Sequence, residues 1–133
     1  MIVIGIDLAV KGAHQALVAD GQGQVHGPVI RFRTEPQALA DLLTRARRLG
    51  DEGEEIRVVM EPTGLSWLPV ACYLQQRGAH PHVVNAQRVA DLHKYYHKHA
   101  KSDRLSADVL ARLPFADPEA LHPWSAPEAD YLH

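Results

Sequence analysis

Ile2-Val3-Ile4-Gly5-Ile6-Asp7-Leu8 and Ile56-Arg57-Val58-Val59-Met60-Glu61-Pro62 are the two stretches on which the fold turns. Each is a largely apolar run, rich in β-branched residues, that closes on one carboxylate. Such a run predicts a strand buried in a sheet, and the carboxylate that ends it stands where the sheet meets solvent. Two such carboxylates, far apart in sequence, converge only if their strands are neighbours. Convergent carboxylates supply the oxygen ligands that hard divalent cations take.

Beyond the first run, residues 14–19 (His-Gln-Ala-Leu-Val-Ala) read as a second strand, with Lys11-Gly12 as the turn between. Asp20-Gly21-Gln22-Gly23 is a hairpin signal, and it leads to a third strand over 25–32 in which Pro28 predicts an edge or a bulge. Thr34 followed by Gln37 has the spacing of a capping box, and Ala38, Leu39, Leu42, Leu43, Ala46 and Leu49 then recur at helical intervals until Gly50. A polar loop precedes the strand that ends at Glu61. Ser66 predicts the cap of a second helix with Trp67, Val70, Ala71 and Leu74 facing inward, and His82-Val83-Val84 a short fifth strand. Asn85 predicts the cap of a third helix over 86–97, and Ser102 that of a fourth, which Pro114 stops after Leu113. Residues 117–124 read as a loop and 128–133 as the start of a further helix.

The chain of 133 residues fits one domain with a core of its own. A hydrophobic share of 46% against 23% charged residues excludes a disordered or membrane composition. The formal charge of −2 hides an uneven distribution. Over 88–112, Arg88, Lys94, Lys98, Lys101, Arg104 and Arg112 outnumber Asp91, Asp103 and Asp108, so this half can face an anion. Cys72 stands alone among apolar neighbours, which points to a reducing compartment. No apolar run reaches the roughly 18 residues of a spanning helix, and Asp7 interrupts the N-terminus too early for a signal segment. The expected localisation is cytoplasmic, with no membrane partner.

The order β-β-β-α-β-α-β-α-α predicts an α/β fold. A meander followed by alternating helix and strand gives a mixed sheet, antiparallel in its first three strands and flanked by helices, which is the ribonuclease H layout. Actin-like phosphotransferases open in the same way, with an aspartate at the end of the first strand. They also need a second glycine-rich phosphate loop and a much longer chain. The segment beyond the fifth strand discriminates between the two. In Lys101-Ser102-Asp103-Arg104-Leu105-Ser106-Ala107-Asp108 a third carboxylate, Asp103, stands in the first turn of the expected helix, where the macrodipole favours negative charge. Asp7, Glu61 and Asp103 together would suit Mg²⁺ or Mn²⁺. Two such ions roughly 4 Å apart could activate a nucleophile and stabilise the leaving oxygen of a phosphodiester.

Several motifs now carry a resemblance: Gly5-Ile6-Asp7 with Lys11 and His14, Met60-Glu61-Pro62-Thr63-Gly64 with Trp67-Leu68-Pro69, Val83-Val84-Asn85, and Lys101-Ser102-Asp103 with Leu110-Ala111-Arg112. In this order they resemble the N-terminal domain of the DEDD transposases of the insertion sequence 110 family, related to the Piv DNA invertases. The resemblance implies a RuvC-like, ribonuclease H fold in bacterial DNA recombinases, associated with the nucleoid. It further implies acidic residues that bind Mg²⁺ and cut DNA, and a structured guide RNA that pairs with donor and target DNA. Asp7, Glu61 and Asp103 match the first three acidic positions. A dimer or tetramer is expected of the full-length protein.

The chain departs from the family pattern at the fourth acidic position, three residues after Asp103, where it carries Ser106. Asp108, five residues on, is rotated by about 140° from Asp103 on an ideal helix. Three readings stay open. Ser106 holds a metal-bound water beside three carboxylates, or an irregular helix start brings Asp108 in, or this copy is weakened in catalysis. Family members also continue into a helical linker and a serine-bearing domain. The expected division is therefore a catalytic domain over 1–113 and a linker over 114–133, in an isolated or shortened chain that cannot complete recombination alone. A second function class is a nucleic-acid-binding module for guide RNA or DNA whose acidic site is inert.

His93-Lys94-Tyr95-Tyr96-His97-Lys98-His99 offers another chemistry, since His93 and His97 are one helical turn apart and could hold Zn²⁺. The interleaved lysines and tyrosines fit a nucleic-acid contact better: Lys94, Lys98 and Lys101 on phosphates, with Tyr95 or Tyr96 stacking on a base. Lys11, Arg88 and Arg104 are further phosphate candidates. His14 reads as a metal-site neighbour or as structural, and Trp67 and Trp124 as core or interface anchors.

Overall fold

The computed structural model of the chain describes residues 1–62, 64–84 and 105–126. The expected helix over 86–97 lies outside these residues, as do the caps Asn85 and Ser102, the pair His93 and His97, and the helix start at 128–133. The described elements are β1 (Ile2–Asp7), β2 (His14–Ala19), β3 (Val25–Phe32), α1 (Pro36–Leu49), β4 (Ile56–Met60), α2 (Trp67–Gln76), β5 (His80–Val84), α3 (Ala107–Ala116), a 3₁₀ turn (Pro118–Ala120) and β6 (Leu121–Pro123). The strands form one six-stranded sheet in the order β3-β2-β1-β4-β5-β6. β1, β2 and β3 pair antiparallel, β1–β4 and β4–β5 parallel, and β5–β6 antiparallel. The mixed sheet with an antiparallel opening is the layout expected from the sequence.

Strand alternation divides the core. Ile2, Ile4 and Ile6 of β1, with Val58 and Met60 of β4, pack with Leu39, Leu42, Leu43 and Ala46 of α1 and Val70, Ala71 and Leu74 of α2. Val3 and Val59 face the other way, against Leu110, Ala111 and Leu113 of α3. Both faces of the central strands are covered, which is why their runs are apolar without interruption. The β2–β3 hairpin is closed by Asp20, whose Oδ1 accepts from the backbone N–H of Gln22 (2.9 Å) and Gln24 (3.1 Å). Its carboxyl is held below the usual range, chiefly by the hydrogen bond to His26. β3 is an edge strand whose register against β2 shifts between Ala16 and Val18, so Pro28 sits at both an edge and a bulge. Gly27 supplies the positive φ (77°) beside it.

Four local expectations are corrected. Thr34 does not cap α1: the N-cap is Glu35, without a side-chain cap bond, and Pro36 starts the helix. The Thr34 hydroxyl is instead 2.8 Å from His14 Nε2, so a tertiary partner displaced the local one. The helix expected from Ser102 starts at Ala107, with Ser106 as its cap. It also runs through Pro114 to Ala116, with Asp117 N–H reaching the Leu113 carbonyl at 2.8 Å. Finally, the segment read as loop and linker after Leu113 contributes β6, in which Leu121 pairs with Val84 and Pro123 with His82. Trp124 N–H then donates to Pro81 O (3.0 Å), and its ring meets Trp67 edge-on at 5.5 Å. Both tryptophans are anchors, as expected, and the sheet extends beyond the boundary drawn at 113.

The closest approach in the fold is at Gly5. A Cβ there would collide with the backbone nitrogen of Ala111 and the carbonyl of Ala107, and would stand 2.8 Å from Ala111 Cα. At the far end of α3, Phe115 lies against Gly23 of the β2–β3 hairpin, beside Met1 and Gly21. α3 therefore runs antiparallel to β1, with its N-terminus toward the carboxyl end of the strand. Gly5→Ala forces backbone apart rather than a movable side chain. It is expected to cost about 3 kcal/mol, the upper part of the overpacking range, read as a lowered urea midpoint at unchanged slope. An unchanged midpoint would show that the helix is not seated on the strand.

Candidate functional site

The parallel register of β1 and β4 brings the two carboxylates together. Gly5 pairs with Val59 and Ile6 with Met60, so one step further sets Asp7 beside Glu61. Adjacent strands are about 4.8 Å apart, and partners in register share a face. That face is the one against which α3 packs, because Gly5 and Val59, two residues earlier on each strand, meet α3 there. Both carboxylates are partly buried, and Oε2 of Glu61 is sealed from solvent. Two like charges at this spacing repel each other, and a proton or any opposite charge nearby offsets that repulsion.

The antiparallel registers extend the row. Asp7 pairs with Gln15 of β2, and Gln15 with Arg31 of β3. Asp7, Gln15 and Arg31 thus stand side by side across three strands, on one face, and Glu61 follows the last residue of β4. Neither Gln15 nor Arg31 was singled out from the sequence. The alternation of Arg31 and Arg33 with Ile30 and Phe32 signals a polar face on β3, but its alignment with Asp7 depends on register.

α3 enters the site from above. Ser106, in extended conformation (φ −74°, ψ 162°), caps the helix by accepting from the backbone N–H of Val109 at 3.3 Å. Its place at the N-terminus puts it at the carboxylate end of the sheet. Because α3 begins at Ala107, the rotation expected of a continuous helix from Ser102 does not apply. Asp108 is engaged within the helix. Its Oδ2 accepts from Arg112 Nη2 at 2.6 Å, one turn on, and the pair is about half exposed on the outer side of α3. Lys11 lies exposed on the connection that leaves Asp7. Asp103, Arg88, Lys94, Tyr95, Lys98, Lys101 and Arg104 lie outside the described residues. Among the described residues no group of three His, Cys, Asp or Glu side chains could hold a metal ion, and no helix is long and apolar enough to cross a membrane.

His14 is a clamp on the opposite face. It is 4% exposed, packed edge-on against Phe32 at 5.3 Å, and its Nδ1 accepts the backbone N–H of Ala9 at 2.9 Å. A backbone N–H can only donate, so Nδ1 carries no proton and Nε2–H points to the Thr34 hydroxyl. Burial lowers the pKa of His14, and the charge of Asp7 opposes that shift. The ring ties the strand-end loop bearing Lys11 to the start of the α1 segment, which settles its role as structural.

Two measurements test these assignments. An unfolded histidine binds a proton near pH 6.5 that buried His14 binds only at lower pH, so stability falls as pH drops through 6.5 toward its folded value. With chelator present, the urea midpoint is expected to fall between pH 7.5 and 5.5, and to fall less in His14→Gln; equal slopes would remove the clamp. His82, also lowered by burial, keeps part of the slope in that variant. Ser106→Ala is expected to cost about 1 kcal/mol as a lost cap, while Ser106→Asp, itself a good cap, retains stability. Equal stability of the two variants would deny the capping role.

A comparison with curated proteins found no match. A family model described as a transposase, the DEDD transposase of insertion sequence 110, matches residues 4–133. That span contains both strand-end carboxylates, the Gly5 seat and Ser106, and this chain belongs to the DEDD transposase family of insertion sequence 110.

Proposed function

We propose that this transposase-family chain is the metal-dependent strand-cleaving domain of an RNA-guided recombinase, with Asp7, Glu61 and Asp103 as ligands of Mg²⁺ or Mn²⁺. The observation that carries this reading is the parallel register that sets Asp7 beside Glu61 on the face met by the N-terminus of α3. The donor set fits the group: neighbouring carboxylates present the hard oxygen ligands that a divalent cation takes. Asp103 stands three residues ahead of Ser106 in the chain. When bound, the metal would polarise the scissile phosphate and lower the pKa of an attacking hydroxyl.

The chain's own residues supply the rest. Asp7 and Glu61 accept the charge of the cation and fix its place at the mouth of the sheet. The loop after Asp7, tied down by His14, presents Lys11 toward an incoming phosphate. Val84 and Leu105, which flank residues 85–104, both stand at this end of the sheet. The basic residues Arg88, Lys94, Lys98, Lys101 and Arg104, with Tyr95, all fall in that stretch, which supports a DNA or guide-RNA contact beside the metal site. A shared oligomer of the full-length protein would bring two such sites to two DNA strands.

The second reading is a nucleic-acid-binding module with an inert acidic site. Ser106 at the fourth acidic position and the engagement of Asp108 by Arg112 favour it. Calorimetric titration with Mn²⁺ separates the two. Binding is expected in the wild-type chain and is expected to weaken at least about tenfold in Asp7→Asn and in Glu61→Gln, with the folded state intact by circular dichroism. An isotherm that these substitutions leave unaltered would sink the metal reading, and Mn²⁺ binding without nicking of supercoiled DNA would leave the module.

A further inference from the structure

We propose that Arg31 and Arg33 of the β3 segment hold the phosphates that flank the cut in the nucleic-acid strand bound at Asp7 and Glu61. The inference rests on the reading of those carboxylates as a metal site acting on nucleic acid, and it adds residues to which that reading assigns nothing. Its basis is the row Asp7–Gln15–Arg31, formed by two successive registers, with Glu61 one residue past the end of the β1–β4 register. Arg31 stands two strands from Asp7, about 10 Å at the usual spacing, on the same face of the sheet. Arg33 occupies the next position on that face, just past the end of β3. β3 runs parallel to β1, because each pairs antiparallel with β2, so Arg33 stands at the same end as Asp7 and the exposed loop bearing Lys11.

Charge and exposure agree with this placement. Both arginines are exposed, and among the described residues neither is in an ion pair; Glu35, two residues past Arg33, pairs with neither. Two guanidinium groups on one strand face, about 7 Å apart, repel each other unless an anion lies against them. A guanidinium presents a planar fork of donors that matches phosphate oxygens. Gln15, between Asp7 and Arg31, separates the cation-binding from the anion-binding part of the row with a neutral amide. Arg31 also borders the groove between β3 and α1, which Arg45 and Arg48 line together with one carboxylate, Asp41, so the balance of charge around the edge strand stays positive. A strand carrying its scissile phosphate at the carboxylates would thus run outward over β2 and β3.

Charged residues on an edge strand have another use, since they keep the edge from pairing with other chains. Charge reversal separates the two roles, because glutamate guards an edge as well as arginine does but repels phosphate. The experiment compares the wild-type chain with the double variants R31E/R33E and R31K/R33K in Mg²⁺. It measures the affinity of a labelled single-stranded DNA oligonucleotide by anisotropy across a salt series, with Mn²⁺ binding alongside. R31E/R33E is expected to bind DNA at least about tenfold more weakly and to lose about 1.4 from the log–log salt slope, the share of two phosphate contacts on a single strand. R31K/R33K keeps most of both, and Mn²⁺ binding is unchanged in each. If R31E/R33E does not fold, R31Q/R33Q carries the same test with half the charge change. DNA affinity and salt slope equal to wild type in the folded variant, with Mn²⁺ binding still lost in Asp7→Asn, would overturn the track and leave the metal site standing. Mn²⁺ binding that Asp7→Asn leaves untouched overturns the metal site itself, and the placement of the track with it.

Discussion

The seating of α3 on Gly5 is the contact on which the rest of the structure depends. β1 lies near the middle of the sheet, between β2 and β4, and is covered by α1 and α2 on one face and by α3 on the other. With no Cβ at Gly5, the backbone of Ala107 and Ala111 meets the strand directly. Close packing of that kind fixes a helix along its axis as well as across it, because interiors do not deform continuously. The direction of α3 is set by this contact, and with it the position of Ser106 at the carboxylate end of the sheet. A larger residue at Gly5 would lift the helix and loosen every distance in the site.

The pairing of β1 with β4 does for the carboxylates what Gly5 does for the helix. Parallel neighbours in register share a face, so Asp7 and Glu61 point to the same side because Ile6 and Met60 are partners. Up to that point β1 is buried at every residue and β4 at every residue except the half-buried Arg57. The mutual repulsion of the carboxylates is therefore held in place by hydrophobic burial nearby, where Val3, Val59 and Leu110 are wholly excluded from solvent. Burial of several such side chains, at about 1.5–3 kcal/mol each, outweighs the repulsion of two partly solvated charges. The fold can hold these two strand ends together by burial alone.

Legible in the sequence was whatever depends on local pattern with tertiary support. The apolar runs of β1 and β4, the helical spacing of α1 and the Asp20 hairpin could be read because burial on a known face repeats at a fixed period. Where two residues compete for one role, local pattern does not decide. Ser102 and Ser106 are equally good caps, and the Thr34–Gln37 spacing is a good capping box. His14 took the Thr34 hydroxyl, and the capping box was lost. β6 is three residues long and ends in Pro123, too short for alternation to show and tolerable for proline only because it lies at an edge. In the site, the convergence of Asp7 and Glu61 was legible, since both-faced apolar runs imply adjacent buried strands. The alignment of Gln15 and Arg31 was not, because register is a property of the assembled sheet and a slip of one residue would reverse every face.

The same register bears on why serine at the fourth acidic position is tolerable. On the proposed ligand set the site carries three carboxylates, and Asp108 is drawn to the outer side of α3 by Arg112. A fourth acid at position 106 would add a negative charge at the mouth through which a phosphate strand must enter. Ser106 instead accepts a backbone N–H and leaves the partial positive charge of the helix N-terminus uncancelled toward the site. On the proposed function, cation affinity would be lower with serine there than with a fourth acid, and repulsion of the nucleic acid would be lower with it. On that reading, part of the binding shifts from the metal to the basic groups around it, which is the direction in which Lys11, Arg31 and Arg33 are arranged.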